Sequence, residues 1–267
     1  MPLSPNKVRA ALAEGRVVIG SVIYSWSPNV MEVAGYAGLD FMRVDLEHSW
    51  RRDTSLEELM RAAEISGVEA VVRVEKDDPQ MIRRVLETGA SGIIAPCDPD
   101  VEAVEKAVEA ARFPPRGTRG YSGNCRSAAW GTRAGAEWVE WSDSEPMIGV
   151  MIEDAQAIEC IDEMLAVDGL DFVLFGPADY SMSLGFRRPA KNSDEVQEAL
   201  AKTVAAAKKS GKHVMLGVGN DMDEIVRYAE MGVTMLETGN DCRTLGAFWR
   251  DLAAGILDRT GGRKKER

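Results

Sequence analysis

With 267 residues, 45% of them apolar and 28% charged, the chain is long enough for one sizeable core and too apolar for general disorder. Its formal net charge of -11, from 32 basic and 43 acidic side chains, would repel a phosphate backbone or an anionic membrane, so neither nucleic acid nor membrane is an expected partner. No apolar run approaches the roughly 20 residues of a membrane helix, the N-terminus lacks a signal-peptide pattern, and Cys97, Cys125, Cys160 and Cys242 form no C-x-x-C pair; the expected setting is cytoplasmic, without a zinc knot or disulfide framework.

Taken in chain order, short β-branched or apolar runs predict strands at Val17–Ile23, Phe41–Asp45, Ala70–Val74, Gly92–Ala95, Ile148–Ile152, Asp171–Phe175, His213–Gly217 and Val233–Glu237. Apolar residues at three- and four-residue spacing predict helices between them, as at Ser55–Ile65, Pro79–Leu86, Val101–Ala111 and Val196–Lys209. Strictly alternating strands and helices predict a parallel sheet, and eight units predict its closure into an α/β (β/α)8 TIM barrel. One barrel domain is expected over residues 1–260, with a disordered basic tail at 261–267. Gly38, Gly67, Gly89, Gly211 and Gly232 stand where helices should stop. The irregular stretch Phe113–Pro146 reads either as a lid or oligomer contact, or as plain elaboration.

Barrel active sites lie at the C-terminal ends of the strands, so the polar residues there matter most. Strand two runs into Asp45-Leu46-Glu47-His48, strand three ends near Arg73, strand five runs into Glu153-Asp154, and strand six into Gly176-Pro177-Ala178-Asp179. Glu153 and Asp179 come from neighbouring strands and could share a hard divalent cation such as Mg²⁺ or Mn²⁺; alternatively, they cap the helices they precede. His48 is a candidate general base, with Asp45 three residues earlier to orient its ring. Arg73 can stabilise an enolate or alkoxide oxygen, or can simply pair with Glu47 or Glu75. Backbone N–H groups of the Gly176–Asp179 turn could hold a carboxylate. His213 begins strand seven, at the opposite face, and reads as structural.

These segments, with Leu86-Glu87-Thr88-Gly89-Ala90 and Phe113-Pro114-Pro115-Arg116-Gly117-Thr118-Arg119-Gly120, resemble in order those of the HpcH/HpaI aldolase family. The resemblance implies a metal-dependent pyruvate aldolase, a carbon–carbon lyase acting on 4-hydroxy-2-oxo acids through a metal-bound pyruvate enolate. It implies Glu153 and Asp179 as ligands of Mg²⁺, Mn²⁺ or Co²⁺, His48 as general base, and Arg73 as stabiliser of the developing charge. Asp45 and Glu87 would support the histidine, while Gly176, Pro177, Ala178, Met151 and Glu47 would line the substrate site. The implied partners are a small 2-oxo acid and an aldehyde, and the implied assembly is a homohexamer, a trimer of dimers, whose last helix is exchanged between subunits. Three departures stand out: Met151 where the family usually has Gln, Glu87 where it has Asp, and Val22 with Tyr24 and Trp26 nearby in place of a strand-one Trp.

Strand parity adds a reading of its own. If Asp45 points into the barrel, so does Arg43, and Glu237 ends a run of the same parity on strand eight, so an Arg43–Glu237 ion pair is expected in the upper layer. Two other functions fit the same barrel. One keeps the enolate but changes the electrophile, as in an oxaloacetate decarboxylase or a CoA-thioester lyase of the citrate-lyase β type; the other is a catalytically silent interaction subunit.

Overall fold

The computed structural model describes residues 3–48 and 55–261. Its eight strands are parallel and close on themselves in chain order: β1 (Val18–Ile23), β2 (Phe41–Asp45), β3 (Glu69–Arg73), β4 (Gly92–Ala95), β5 (Met147–Ile152), β6 (Phe172–Phe175), β7 (His213–Val218) and β8 (Met235–Asn240). This is the predicted (β/α)8 barrel. β8 runs past its predicted end because a register shift opposite Gly20–Val22, with Gly239 at φ 57°, lets it continue to the rim. The predicted tail lies, beyond Gly261, outside the described residues. Among the described residues no helix is long and apolar enough to cross a membrane.

Successive residues of a strand face opposite sides, and here both sides are covered, which is why the strand sequences are almost continuously apolar. Phe41, Val71, Ile94, Phe172, Met215 and Met235 pack together in the lumen. Ile23, Val44, Val72, Ile93, Val150 and Val173 face the helices. Two glycines make room for the lumen's aromatic rings. A Cβ on Gly20 would lie 2.4 Å from the Phe41 ring, and one on Gly149 would lie 2.4 Å from that of Phe172. Gly20→Ala is therefore expected to destabilise the barrel by about 1–3 kcal/mol through overpacking. Urea unfolding measures this as a lower midpoint at unchanged slope; an unshifted midpoint would mean that Phe41 yields freely.

The helix Asp194–Ser210 shows how the outer layer forms. Ser193 caps its first turn through Val196 N–H, Asp194 and Glu195 sit at its positive end, and Lys208 and Lys209 at its negative end. Gly211, at φ 66°, stops it. Val196, Ala199, Leu200, Thr203 and Val204 face the barrel; burying a side chain such as Leu200 contributes roughly 1.5–3 kcal/mol.

The seven-residue helix Lys7–Ala13, not anticipated from the sequence, closes the lower end. Val8, Ala11 and Leu12 join the lumen cluster, and Arg9 forks onto Asp171 at 2.7 and 2.9 Å. The stretch 113–146 lies at this same N-terminal rim, because it joins the helix after β4 to the start of β5. It carries the helix Ala136–Ser144 and a small core of Phe113, Cys125, Ala128 and Trp138. Arg126 and Ser127 tie it to the backbone of Thr88 and Glu87. It is thus no lid over its own barrel's mouth.

The C-terminal helix, Asp241–Thr260, is barely embedded, with Asp241 its one buried residue. Leu245, Phe248, Trp249, Leu252 and Ile256 form an exposed stripe along it, Phe248 and Trp249 being 62% and 61% exposed.

Candidate active site

The site grows from the ends of β2 and β3. Arg73, the last residue of β3, donates from Nε to Asp45 Oδ1 at 3.1 Å and from Nη2 to Asp45 Oδ2. Its Nη1 pairs with Glu47 Oε2 at 2.9 Å and lies 3.7 Å from the Met151 sulfur. Asp45 also accepts from the Tyr24 hydroxyl at 3.2 Å, from Arg43 Nη1 at 3.4 Å, and from the main-chain N–H of Glu47 and His48 at 3.1 and 3.2 Å. Burial opposes the charge on Asp45, but the hydrogen bonds and charge of Arg73, together with Arg43, outweigh it and hold the carboxyl below its ordinary range.

Two expected supports of His48 are corrected. A fully buried carboxylate is best matched by the planar fork of a guanidinium, so Asp45 serves Arg73, and what it takes from His48 is the backbone N–H. The imidazole is 64% exposed, with Nε2 3.9 Å from Glu47 Oε2. Glu87 ends the helix Pro79–Glu87, which runs antiparallel to the strands and returns to the N-terminal rim. It faces Arg83 at 3.7 Å there, at the opposite end of the barrel from His48.

The ion pair expected from parity is present. Arg43 Nε meets Glu237 Oε2 at 2.6 Å, and Nη2 meets Oε1 at 3.0 Å, both side chains being buried. Burial disfavours the Arg43 charge, yet the charge and hydrogen bonds of Glu237, with Asp45 behind them, raise its pKa above the ordinary value. An ionic chain therefore runs from Glu237 through Arg43, Asp45 and Arg73 to Glu47.

Glu153 and Asp179 are not helix caps. Asp154 caps the helix Ala155–Glu159 through Gln156 N–H at 2.8 Å, which leaves Glu153 out of that task. Asp179 lies inside the first turn of the helix Pro177–Ser183, whose cap residue is Gly176. Burial raises the Glu153 pKa, and so do the like charges of Asp179 and Glu47, so these carboxylates share one region. A Cβ on Gly176 would lie 3.1 Å from Glu153 Cβ and 3.5 Å from Oε2, so the bare glycine gives Glu153 its place. The Gly176 N–H is spent on Ile152 O at 2.9 Å, and Pro177 has none, which narrows the expected backbone cradle to Ala178 and Asp179. Among the described residues no three His, Cys, Asp or Glu side chains form a ready-made metal cage. Two crowded carboxylates do suit a hard divalent cation that keeps positions for water or substrate.

Sequence reasoning missed the hydrogen bond from Tyr24 to Asp45, and it missed Asp241. The available signal was position, since each stands just past a strand on the C-terminal rim.

A buried guanidinium, an exposed imidazole and an excess of carboxylates stand at the mouth of the (β/α)8 barrel, where enzymes of this fold carry their active sites. Residues 21–246 match the HpcH/HpaI aldolase/citrate lyase family, and the chain belongs to it. It is 34% identical over 244 residues to a 5-keto-4-deoxy-D-glucarate aldolase of Klebsiella pneumoniae subsp. pneumoniae, covering 91% of this chain and 93% of that one. Among solved structures, it is similar to an HpcH/HpaI aldolase from Desulfitobacterium hafniense DCB-2, with TM-score 0.85, 29% identity, and 93% and 96% of the two chains covered. It is also similar to the citrate synthase SbnG, with TM-score 0.80, 30% identity, and 95% and 97% covered. The protein is a carbon–carbon lyase of the aldolase type.

Proposed function

We propose that this lyase is a divalent-metal-dependent aldolase that makes and cleaves 4-hydroxy-2-oxo acids through the enolate of pyruvate or a close relative. The observation carrying this reading is the setting of Glu153, where burial and then the like charges of Asp179 and Glu47 disfavour a charge that a cation would offset. Glu153 and Asp179 would hold Mg²⁺ or Mn²⁺. Such an ion supplies Lewis-acid polarisation of the 2-oxo acid's keto oxygen. His48, exposed at the mouth, would take a proton from the methyl carbon. Arg73, fixed by Asp45 and Glu47, would stabilise the oxygen on which charge develops. The N–H groups of Ala178 and Asp179 would orient the substrate carboxylate. Met151 would give the substrate an apolar, polarisable wall.

The similarity to a 5-keto-4-deoxy-D-glucarate aldolase makes that deoxy keto sugar acid the first substrate to test. The apolar stripe of the C-terminal helix supports exchange of that helix between copies in a homo-oligomer, a hexamer in the implied assembly. Thermal unfolding with Mg²⁺ or Mn²⁺, with and without pyruvate, tests the central reading. Pyruvate should stabilise the protein only when the cation is present, by about 2.7 kcal/mol at a hundredfold excess over Kd. Undiminished cleavage of 5-keto-4-deoxy-D-glucarate under excess chelator would refute the metal requirement. The likeness to citrate synthase SbnG favours the second reading, an oxaloacetate decarboxylase or a CoA-thioester lyase of the citrate-lyase β type; preferential turnover of oxaloacetate or of such a thioester over the aldol pair would establish it.

A further inference from the structure

Beyond Ile23 the chain turns across the mouth through Tyr24, Ser25 and Trp26. Trp26 is 3% exposed and holds φ at 55°, a left-handed value that a bulky residue adopts only when its surroundings impose it. The two residues before it are held by Asp241, which lies 8% exposed at the start of the C-terminal helix. Its carboxylate accepts from Tyr24 N–H at 2.9 Å, Ser25 N–H at 3.0 Å and Cys242 N–H at 2.8 Å. One buried carboxylate thus fastens the mouth segment to the root of the last helix.

The fastened segment aims the Tyr24 hydroxyl at Asp45 Oδ2, 3.2 Å away. The same oxygen takes Arg73 Nη2 and lies 3.4 Å from Arg43 Nη1. Asp45 Oδ1 is held by Arg73 Nε and by the main-chain N–H groups of Glu47 and His48, so the setting left to choose is how far Oδ2 leans toward Arg73 or Arg43. Arg43 has its own fork partner in Glu237, whereas Arg73 takes both oxygens of Asp45, with Glu47 on its remaining nitrogen. A neutral donor arriving from a third direction selects the setting that serves Arg73. Burial and the nearby Asp45 charge raise the Tyr24 phenol's pKa, so it remains a donor at neutral pH.

We propose that Tyr24 is a positioning residue of this site: held by the Asp241 clamp, its hydroxyl sets the rotation of Asp45 and so the plane of the Arg73 guanidinium. This rests on the reading that Arg73 stabilises the developing enolate. The test is exchange of pyruvate methyl protons in D₂O with Mg²⁺ present, followed by NMR, which reads enolate formation without any aldehyde. Tyr24→Phe removes one hydrogen bond to a charged group and little packing, since the ring is 37% exposed.

The exchange kcat should fall about tenfold or more, with KM for pyruvate within about twofold and the unfolding midpoint unchanged. Asp241→Asn, which weakens the clamp, should lower kcat in the same direction. Arg73→Lys is the control for the site itself. Full exchange by Tyr24→Phe alongside an inactive Arg73→Lys overturns the positioning role and leaves the site reading intact. A risen KM at unchanged kcat also overturns it, by making Tyr24 a substrate contact, and so does a kcat loss that only tracks a lowered unfolding midpoint. Full exchange by both variants, or none by the wild type, sinks the reading of Arg73 and the proposal with it.

Discussion

Glu153→Ala and Asp179→Ala should each lower cation-dependent turnover by about 1,000-fold or more, with Glu153→Ala leaving the unfolding midpoint unchanged or slightly raised. The activity loss follows from the charge stabilisation that a bound cation supplies, several kcal/mol at about 1.4 kcal/mol per tenfold. The stability sign follows from the geometry. Glu153 is partly buried, and burial, Asp179 and Glu47 all work against its charged form, so its removal relieves repulsion. An activity-down, stability-up pattern marks residues held in place for chemistry. The adjacent Asp154 is the natural contrast, because it caps the helix Ala155–Glu159. Asp154→Ala should cost about 1 kcal/mol of stability and leave turnover nearly intact. A Glu153→Ala protein with normal turnover, measured after chelation and reloading, would remove Glu153 from the reaction.

Arg43→Leu should show the opposite pattern in its stability. It leaves Glu237 buried without its fork and Asp45 with one guanidinium fewer. Breaking such a pair costs about 3–5 kcal/mol. At roughly 2–4 °C per kcal/mol for a chain somewhat smaller than this one, the midpoint should drop by about 6–20 °C. Glu237→Leu should cost less, since Arg43 keeps Asp45. The decisive measurement is the double variant, Arg43→Leu with Glu237→Leu, which should recover most of the loss because the uncompensated charge is gone. If the double variant is as unstable as the sum of the singles, the pair is not the source of the effect.

The barrel was legible because its two periodicities are strong and its elements short. Alternation placed Arg43 and Glu237 on the same side of the wall, and their contact followed from the cost of an unpaired buried charge. The strand-end rule likewise picked out the rim residues Asp45, Arg73, Glu153 and Asp179. What local pattern does not contain is which rim partner a side chain chooses once eight strands converge. Asp45 lies three residues from His48, but Arg73 reaches it from β3 with better geometry. The role of Glu87 came from the family resemblance alone, whereas its place is set by the direction of its helix. The helix Lys7–Ala13 is too short for its periodicity to stand out, and it becomes a helix by docking Val8 and Leu12 under the barrel.

That docked helix has a consequence for traffic. With Val8, Ala11 and Leu12 closing the floor, Arg9 bolted to Asp171 and packed side chains filling the lumen, the described residues leave no passage along the barrel axis to the C-terminal mouth. In the proposed reaction, donor, acceptor and product would pass the same threshold in turn. Departure of one molecule and arrival of the next therefore compete for the aperture on which Tyr24 and His48 stand.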